Sequence, residues 1–145
     1  MALSVKRITL WRTEVDNRPG VLAKVLGPLA DAGADLQVVM GYRFPGNESI
    51  AAIEVYPVSG KKAANAASSA GLSASEIPTL LVEGDNRQGL GKIIAESIAE
   101  AGINLGFLVT QVIGRRYTSV IGFESEEDAK RAASLIKKVT ASRRK

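Results

Sequence analysis

Neither cysteine nor histidine occurs anywhere in the 145 residues. Their absence removes thiol nucleophiles, disulfides, Cys/His zinc sites, Ser-His-Asp triads and imidazole acid–base chemistry together. Catalysis would have to rest on carboxylates, lysine, tyrosine or a bound cofactor, and no phosphate-cradling loop or metal-ligand cluster stands in the chain. The carboxylates nearest one another, Glu124, Glu126, Glu127 and Asp128, read as the acidic start of a helix rather than as a metal site. These absences point to a binding protein, not an enzyme, with neither metal nor cofactor. Aromatics are also scarce: one Trp, three Tyr and three Phe. Long apolar runs are missing. Met1–Leu10 does not read as a signal peptide and no stretch approaches membrane-spanning length, so a cytoplasmic protein with no membrane partner is expected.

The net charge is +4, and Arg143, Arg144 and Lys145 carry three of those charges at the very end. Such a tail reads either as a patch for nucleic acid or an acidic partner, or as a solubilising end that complements a helix C-terminus.

What is present is a repeat. Eight residues recur 69 positions apart: Asp16, Asn17, Arg18, Gly20, Ala30, Ala32, Gly33 and Leu36 match Asp85, Asn86, Arg87, Gly89, Ala99, Ala101, Gly102 and Leu105. Apolar class is kept at Val21/Leu90, Val25/Ile94 and Leu29/Ile98. A fixed period means one supersecondary unit used twice. The expected organisation is residues 1–76 and 77–145, the second with the basic C-terminal tail. Units of roughly 70 residues bury a marginal fraction of their surface and should pack or oligomerise.

Each copy reads strand, helix, strand, strand, helix. Lys6 to Val15 is predicted as one strand. Pro19 is expected at the first helical position, with Gly33 ending that helix and Pro28 interrupting it. Leu36–Phe44 and Ser49–Tyr56 form a hairpin around Pro45-Gly46-Asn47. An alanine-rich helix, Ser59–Ala70, and a short strand at Leu72–Ile77 follow. The second copy repeats the order with Thr79–Gly84, Leu90–Ala101, Ile103–Ile113 and Tyr117–Phe123. Its last helix is capped by Ser125 and buries Ala129, Ala132, Ile136 and Val139. This is the α+β, ferredoxin-like split βαβ order, an antiparallel sheet with both helices on one face. The second copy has no closing strand of its own, and Ala2–Arg7 is a candidate for that edge.

The two Asp-Asn-Arg-x-Gly loops lie between a strand end and a helix start, where unpaired N–H groups favour a carboxylate or phosphate. With Pro19 opening the helix, Arg18 would stand at the cap, unable to accept the amide hydrogens there. Asp16 or Asp85 taking an ammonium, and the helix start a carboxylate, would suit an amino acid. A local reading also stands: Asp and Asn make turns through their own backbone, and Gly fits a tight corner.

The passage "VDNRPGVLAKVLGPLADAGADLQ" resembles the ACT domain, a small regulatory ligand-binding module of βαββαβ order, and "GDNRQGLGKIIAESIAEAGINL" resembles a second. The resemblance spans about residues 6 to 139. It implies two ferredoxin-like modules packed side by side, an amino-acid ligand at their interface, a homodimer, and a regulated enzyme as partner. By position it implies one site from Asp16, Asn17, Arg18, Pro19, Gly20, Val21 and Leu22 facing Asn104, Leu105 and Gly106. The reciprocal site would use Asp85, Asn86, Arg87, Gln88, Gly89 and Leu90 against Asp35, Leu36 and Gln37. Gln88 replaces the family's proline and Gly91 its leucine, so the Pro19 loop is the better preserved. The alternatives are an RNA-binding or a protein–protein adaptor module. RNA-binding domains of this topology stack bases on sheet aromatics, and the scattered Trp11, Tyr42, Phe44, Tyr56, Phe107, Tyr117 and Phe123 do not form that motif, which argues against a nucleic-acid partner.

Overall fold

A computed structural model describes residues 3–142. The basic tail Arg143–Lys145 and Ala2 lie outside the described residues. In chain order the elements are β1 (Ser4–Ile8), β2 (Trp11–Asp16), α1 (Val21–Asp31), β3 (Val38–Phe44), β4 (Asn47–Tyr56), α2 (Lys61–Ser69), β5 (Ser73–Ala74), β6 (Thr79–Asp85), α3 (Leu90–Glu100), β7 (Leu105–Ile113), β8 (Arg116–Phe123) and α4 (Glu126–Ser142). They form two compact units. Thr9–Glu76 is one, and the chain from Ile77 onward, joined by the residues up to Ile8, is the other.

Each unit has a four-stranded antiparallel sheet, in the order β3-β4-β2-β5 in the first copy and β7-β8-β6-β1 in the second. The predicted single strand Lys6–Val15 is therefore two strands serving two sheets. Ser4–Ile8 pairs with β6, from Ser4 opposite Glu83 to Ile8 opposite Thr79. Trp11–Asp16 pairs with β4, from Trp11 opposite Val55 to Asp16 opposite Ile50. β1 thus fills the edge that β5 fills in the first copy, and the boundary expected at residue 76 leaves out this N-terminal strand.

Helical spacing turns one face of α1 inward, where Val25 and Leu29 pack on Ile53 and Val55 of β4 and on Ala67 of α2. Burying Leu29 completely is worth about 1.5–3 kcal/mol relative to exposure. The second core is larger. Leu90, Ile94 and Ile98 of α3 meet Leu80, Val82, Tyr117, Ile121 and Phe123 of the sheet and Ala129, Ala132 and Ile136 of α4, with Leu3 included. Val139, expected in the same buried face, is half-buried.

The helix ends follow the sequence. Ala34 N–H donates to Leu29 O at 3.0 Å and Ile103 N–H to Ile98 O at 3.2 Å. Each of these six-to-one bonds spans a glycine in left-handed conformation, Gly33 at φ 83 and Gly102 at φ 71, as the Schellman closure requires. Ser125 Oγ accepts from Asp128 N–H at 3.1 Å, capping α4.

Candidate ligand-binding site

The loop after the first strand of each copy is a type II turn. Arg18 O accepts from Val21 N–H at 3.4 Å, and Arg87 O accepts from Leu90 N–H at 3.3 Å. Gly20 has φ 91 and ψ −11, and Gly89 has φ 81 and ψ 4. A type II turn favours proline at its second position and needs positive φ at its third, which accounts for Pro19-Gly20 and for the tolerance of Gln88 beside Gly89. The expectation that Pro19 opens the helix with Arg18 at the cap does not hold. Gly20 and Gly89 stand at the cap, and neither helix has a side-chain cap bond or an acidic residue in its first turn. The first-turn amides of both helices are thus left without a side-chain acceptor.

The same loop residues are used differently in the two copies. In the second, Arg116 Nη1 lies 3.3 Å from Asp85 Oδ1, and Arg87 Nη2 donates to Thr140 O at 3.0 Å. Arg87 therefore holds the last turn of α4. In the first copy the side chains of Asp16 and Arg18 have no hydrogen-bond or ion-pair partner among the described residues, and both are exposed. The asparagines serve the fold: Asn17 Nδ2 donates to Glu48 O at 2.8 Å, and the backbone N–H groups of Asn17 and Asn86 reach Ser49 O and Arg115 O at 2.9 and 2.7 Å.

A cleft of about 550 Å³ opens beside the first loop, lined by Glu14, Asp16 and Arg18, by Val21, Lys24 and Pro28 of α1, and by Ser69 and Ala70 at the end of α2. Glu14 is paired with Arg12 at 2.6 Å. A shallower groove of about 240 Å³ runs on the other side of the helix start, where Asn17, Val21 and Leu22 face Gly41, Arg43 and Ala51. Lys24 and Ser69 escaped the sequence reading. Lys24 sits one turn beyond Gly20, a spacing that marks it, but Ser69 is brought in only by the packing of α2.

The remaining predicted site residues lie elsewhere. Gln37 N–H donates to Tyr56 O at 2.8 Å, at the end of the sheet where Trp11 pairs with Val55, whereas Asp16 pairs with Ile50 at the other. Within one copy, Asp35–Gln37 and the Asp16 loop are thus at opposite ends. Leu36 packs on the core. In the second copy Asn104 Nδ2 donates to Glu124 Oε2 at 3.1 Å, Leu105 packs on the core, and Gly106 passes close to the backbone of Gly122.

On the first sheet, Tyr42 donates to Glu54 Oε2 at 2.8 Å, and the Arg12 guanidinium lies 5.8 Å from the Phe44 ring centre. Burial, then the bond to Glu54, raises the Tyr42 hydroxyl above its ordinary value. This network braces β2, β3 and β4.

No family model and no curated protein matches the chain. Solved structures do. Protein BT0572 of Bacteroides thetaiotaomicron is 14% identical, with 90% of this chain and 88% of that one aligned at a TM-score of 0.73. The regulatory subunit of aspartate kinase from Thermus thermophilus is 17% identical, over 96% and 97%, at 0.63. Its counterpart from Thermus flavus is 18% identical over the same shares at 0.58. The fold is that of aspartate kinase regulatory subunits. At these identities the likeness extends to the two-unit α+β architecture and stops there. Among the described residues no helix is long and apolar enough to cross a membrane.

Proposed function

We propose that this chain is a small-molecule-binding regulatory protein whose ligand is a free amino acid, acting on a partner enzyme and carrying no catalytic centre of its own. The observation that carries the reading is the first Asp-Asn-Arg loop. It sets an unpartnered carboxylate and guanidinium beside a helix start without a side-chain cap, at the mouth of a cleft. Opposite charges next to helix-start amides that lack a side-chain acceptor suit a zwitterion. Regulatory subunits of aspartate kinases share the fold, which is consistent with a sensor role. The residues that the ACT resemblance implies for the first loop, Asp16 to Leu22, belong to the same proposal. So does a cytoplasmic homodimer. The edge strand β7 has no charged residue along its length and exposes Leu108, Val109, Val112 and Ile113, where solitary edges usually carry charge.

A thermal-shift screen of the intact chain against the twenty amino acids tests the reading. A ligand at a hundred times its dissociation constant stabilises the native state by about 2.7 kcal/mol. A flat response to all twenty would sink the amino-acid reading.

A further inference from the structure

The two copies place their loops identically, yet the space beside them differs. In the second copy, α4 runs on to Ser142, while α2 stops at Ser69 and the chain turns away at Gly71. With the repeat in register, Ser69 and Ala70 correspond to Lys138 and Val139, so α4 adds a turn exactly where the first copy is open. That added turn carries Thr140, fully buried. Its carbonyl accepts from Arg87, and its hydroxyl accepts from Leu3 N–H at 3.4 Å and donates to Ile136 O at 2.7 Å. Leu3 lies over Gly84, where an added Cβ would stand 2.6 Å from Leu3 Cδ2. Gly84 corresponds to Val15. Among the described residues, Thr140 and Leu3 thus occupy the second corner, and its arginine is committed to a helix end.

The first corner keeps the cleft and leaves its charges unmatched. Asp16, Arg18 and Lys24 line it, and none has a side-chain partner among the described residues. Glu14 is neutralised by Arg12. One anion and two cations remain, the inverse of an α-amino dicarboxylate with its one ammonium and two carboxylates.

We infer that the chain binds one acidic amino acid within the first copy, between the end of β2, α1 and the end of α2. Asp16 takes the ammonium, Arg18 and Lys24 take the carboxylates, and the second copy is a structural counterpart with no ligand. The inference rests on the sensor reading above and narrows its ligand class and stoichiometry.

Titration calorimetry of the intact protein with L-glutamate and L-aspartate, beside L-lysine and L-leucine, tests it. Saturable binding of an acidic amino acid at one per chain is expected. Lys24→Ala and Arg18→Ala should each weaken it by about tenfold or more. Ser69→Trp, an exposed position at the cleft wall, should abolish it while the circular dichroism stays native. Asp16→Asn should weaken glutamate but spare glutarate, which lacks the ammonium. Binding of lysine or leucine that Ser69→Trp leaves intact would overturn this site and keep the sensor reading. Two equivalent sites per chain would overturn the asymmetry. Silence from all twenty amino acids would overturn the site and the sensor reading together.

Discussion

The two Asp-Asn-Arg loops share sequence, turn type and helix start, and they do different work. Arg87 ties the second loop to the C-terminal turn of α4 and Asp85 meets Arg116, so the loop is part of the structure around it. Arg18 and Asp16 line an open cleft and have no side-chain partner among the described residues. The difference teaches that an identical motif fixes a backbone shape but not a role; the role depends on what the rest of the chain packs beside it. In the second copy that packing comes from both extremes of the sequence, Leu3 and Thr140.

The largest effect should come from removing what fills the second corner. Leu3 is 5% exposed and belongs to the second core. Leu3→Ala should cost about 2–5 kcal/mol of stability, a range set by how far the site collapses. Urea unfolding followed by circular dichroism measures it. A cost under about 0.5 kcal/mol, the size of a surface change, would mean that Leu3 does not close the corner and would remove the main contrast between the copies.

What the copies share should break equally. Gly20 and Gly89 both hold positive φ, and neither has a neighbour within 4 Å of where a Cβ would stand. Alanine at either position therefore pays only the backbone term, about 1–2 kcal/mol. The two variants should have matching urea midpoints. A loss at one glycine alone would show that the turns are not equivalent.

The arginines should separate what the glycines do not. Arg87→Ala removes a charge-assisted bond to the carbonyl of a buried residue and should cost about 1.5–3 kcal/mol. Arg18→Ala should stay within about 0.5 kcal/mol of the parent without ligand. Equal costs would erase the division between a structural and a free loop.

Much of this was legible from the repeat. It placed the helices, the glycine closures at Gly33 and Gly102 and the paired loops, because capping and turn chemistry are local and leave residue-type signatures. The break in the first strand was not legible. Thr9 and Leu10 are good strand formers with no glycine or proline between them, and only the demand of a second sheet for an edge divides the segment. Pro19 misled because proline suits both the first helical turn and the second position of a type II turn; Gly20 beside it was the deciding signal. The sequence marked the Pro19 loop as the better preserved, but not what separates the two loops, since that depends on where α2 and α4 end relative to residues far away in sequence.

The smallest effect concerns how the borrowed strand is held. Arg7 of β1 donates through Nε to Glu126 Oε1 at 2.9 Å, linking the N-terminal strand to the first turn of α4. The bond to Arg7, more than any other cause, lowers the Glu126 carboxyl below its ordinary value. A depressed carboxylate favours the folded state above the unfolded-state value, and that contribution is lost as pH falls through the folded-state value. Glu126→Gln should therefore lie slightly below the parent in urea midpoint at neutral pH and converge with it in acid. The pair is exposed, at 37% and 55% of side-chain area, so the gap should be small and should close in 1 M salt, where screening reaches about 3 Å. Glu126 also sits at a helix N-terminus, which favours a negative charge without Arg7. Arg7→Met separates the two contributions: if the pair acts as a pair, Glu126→Gln in the Arg7→Met background should lose most of its effect. An unchanged effect would assign Glu126 to the helix alone and leave β1 held by its pairing with β6 and the burial of Leu3.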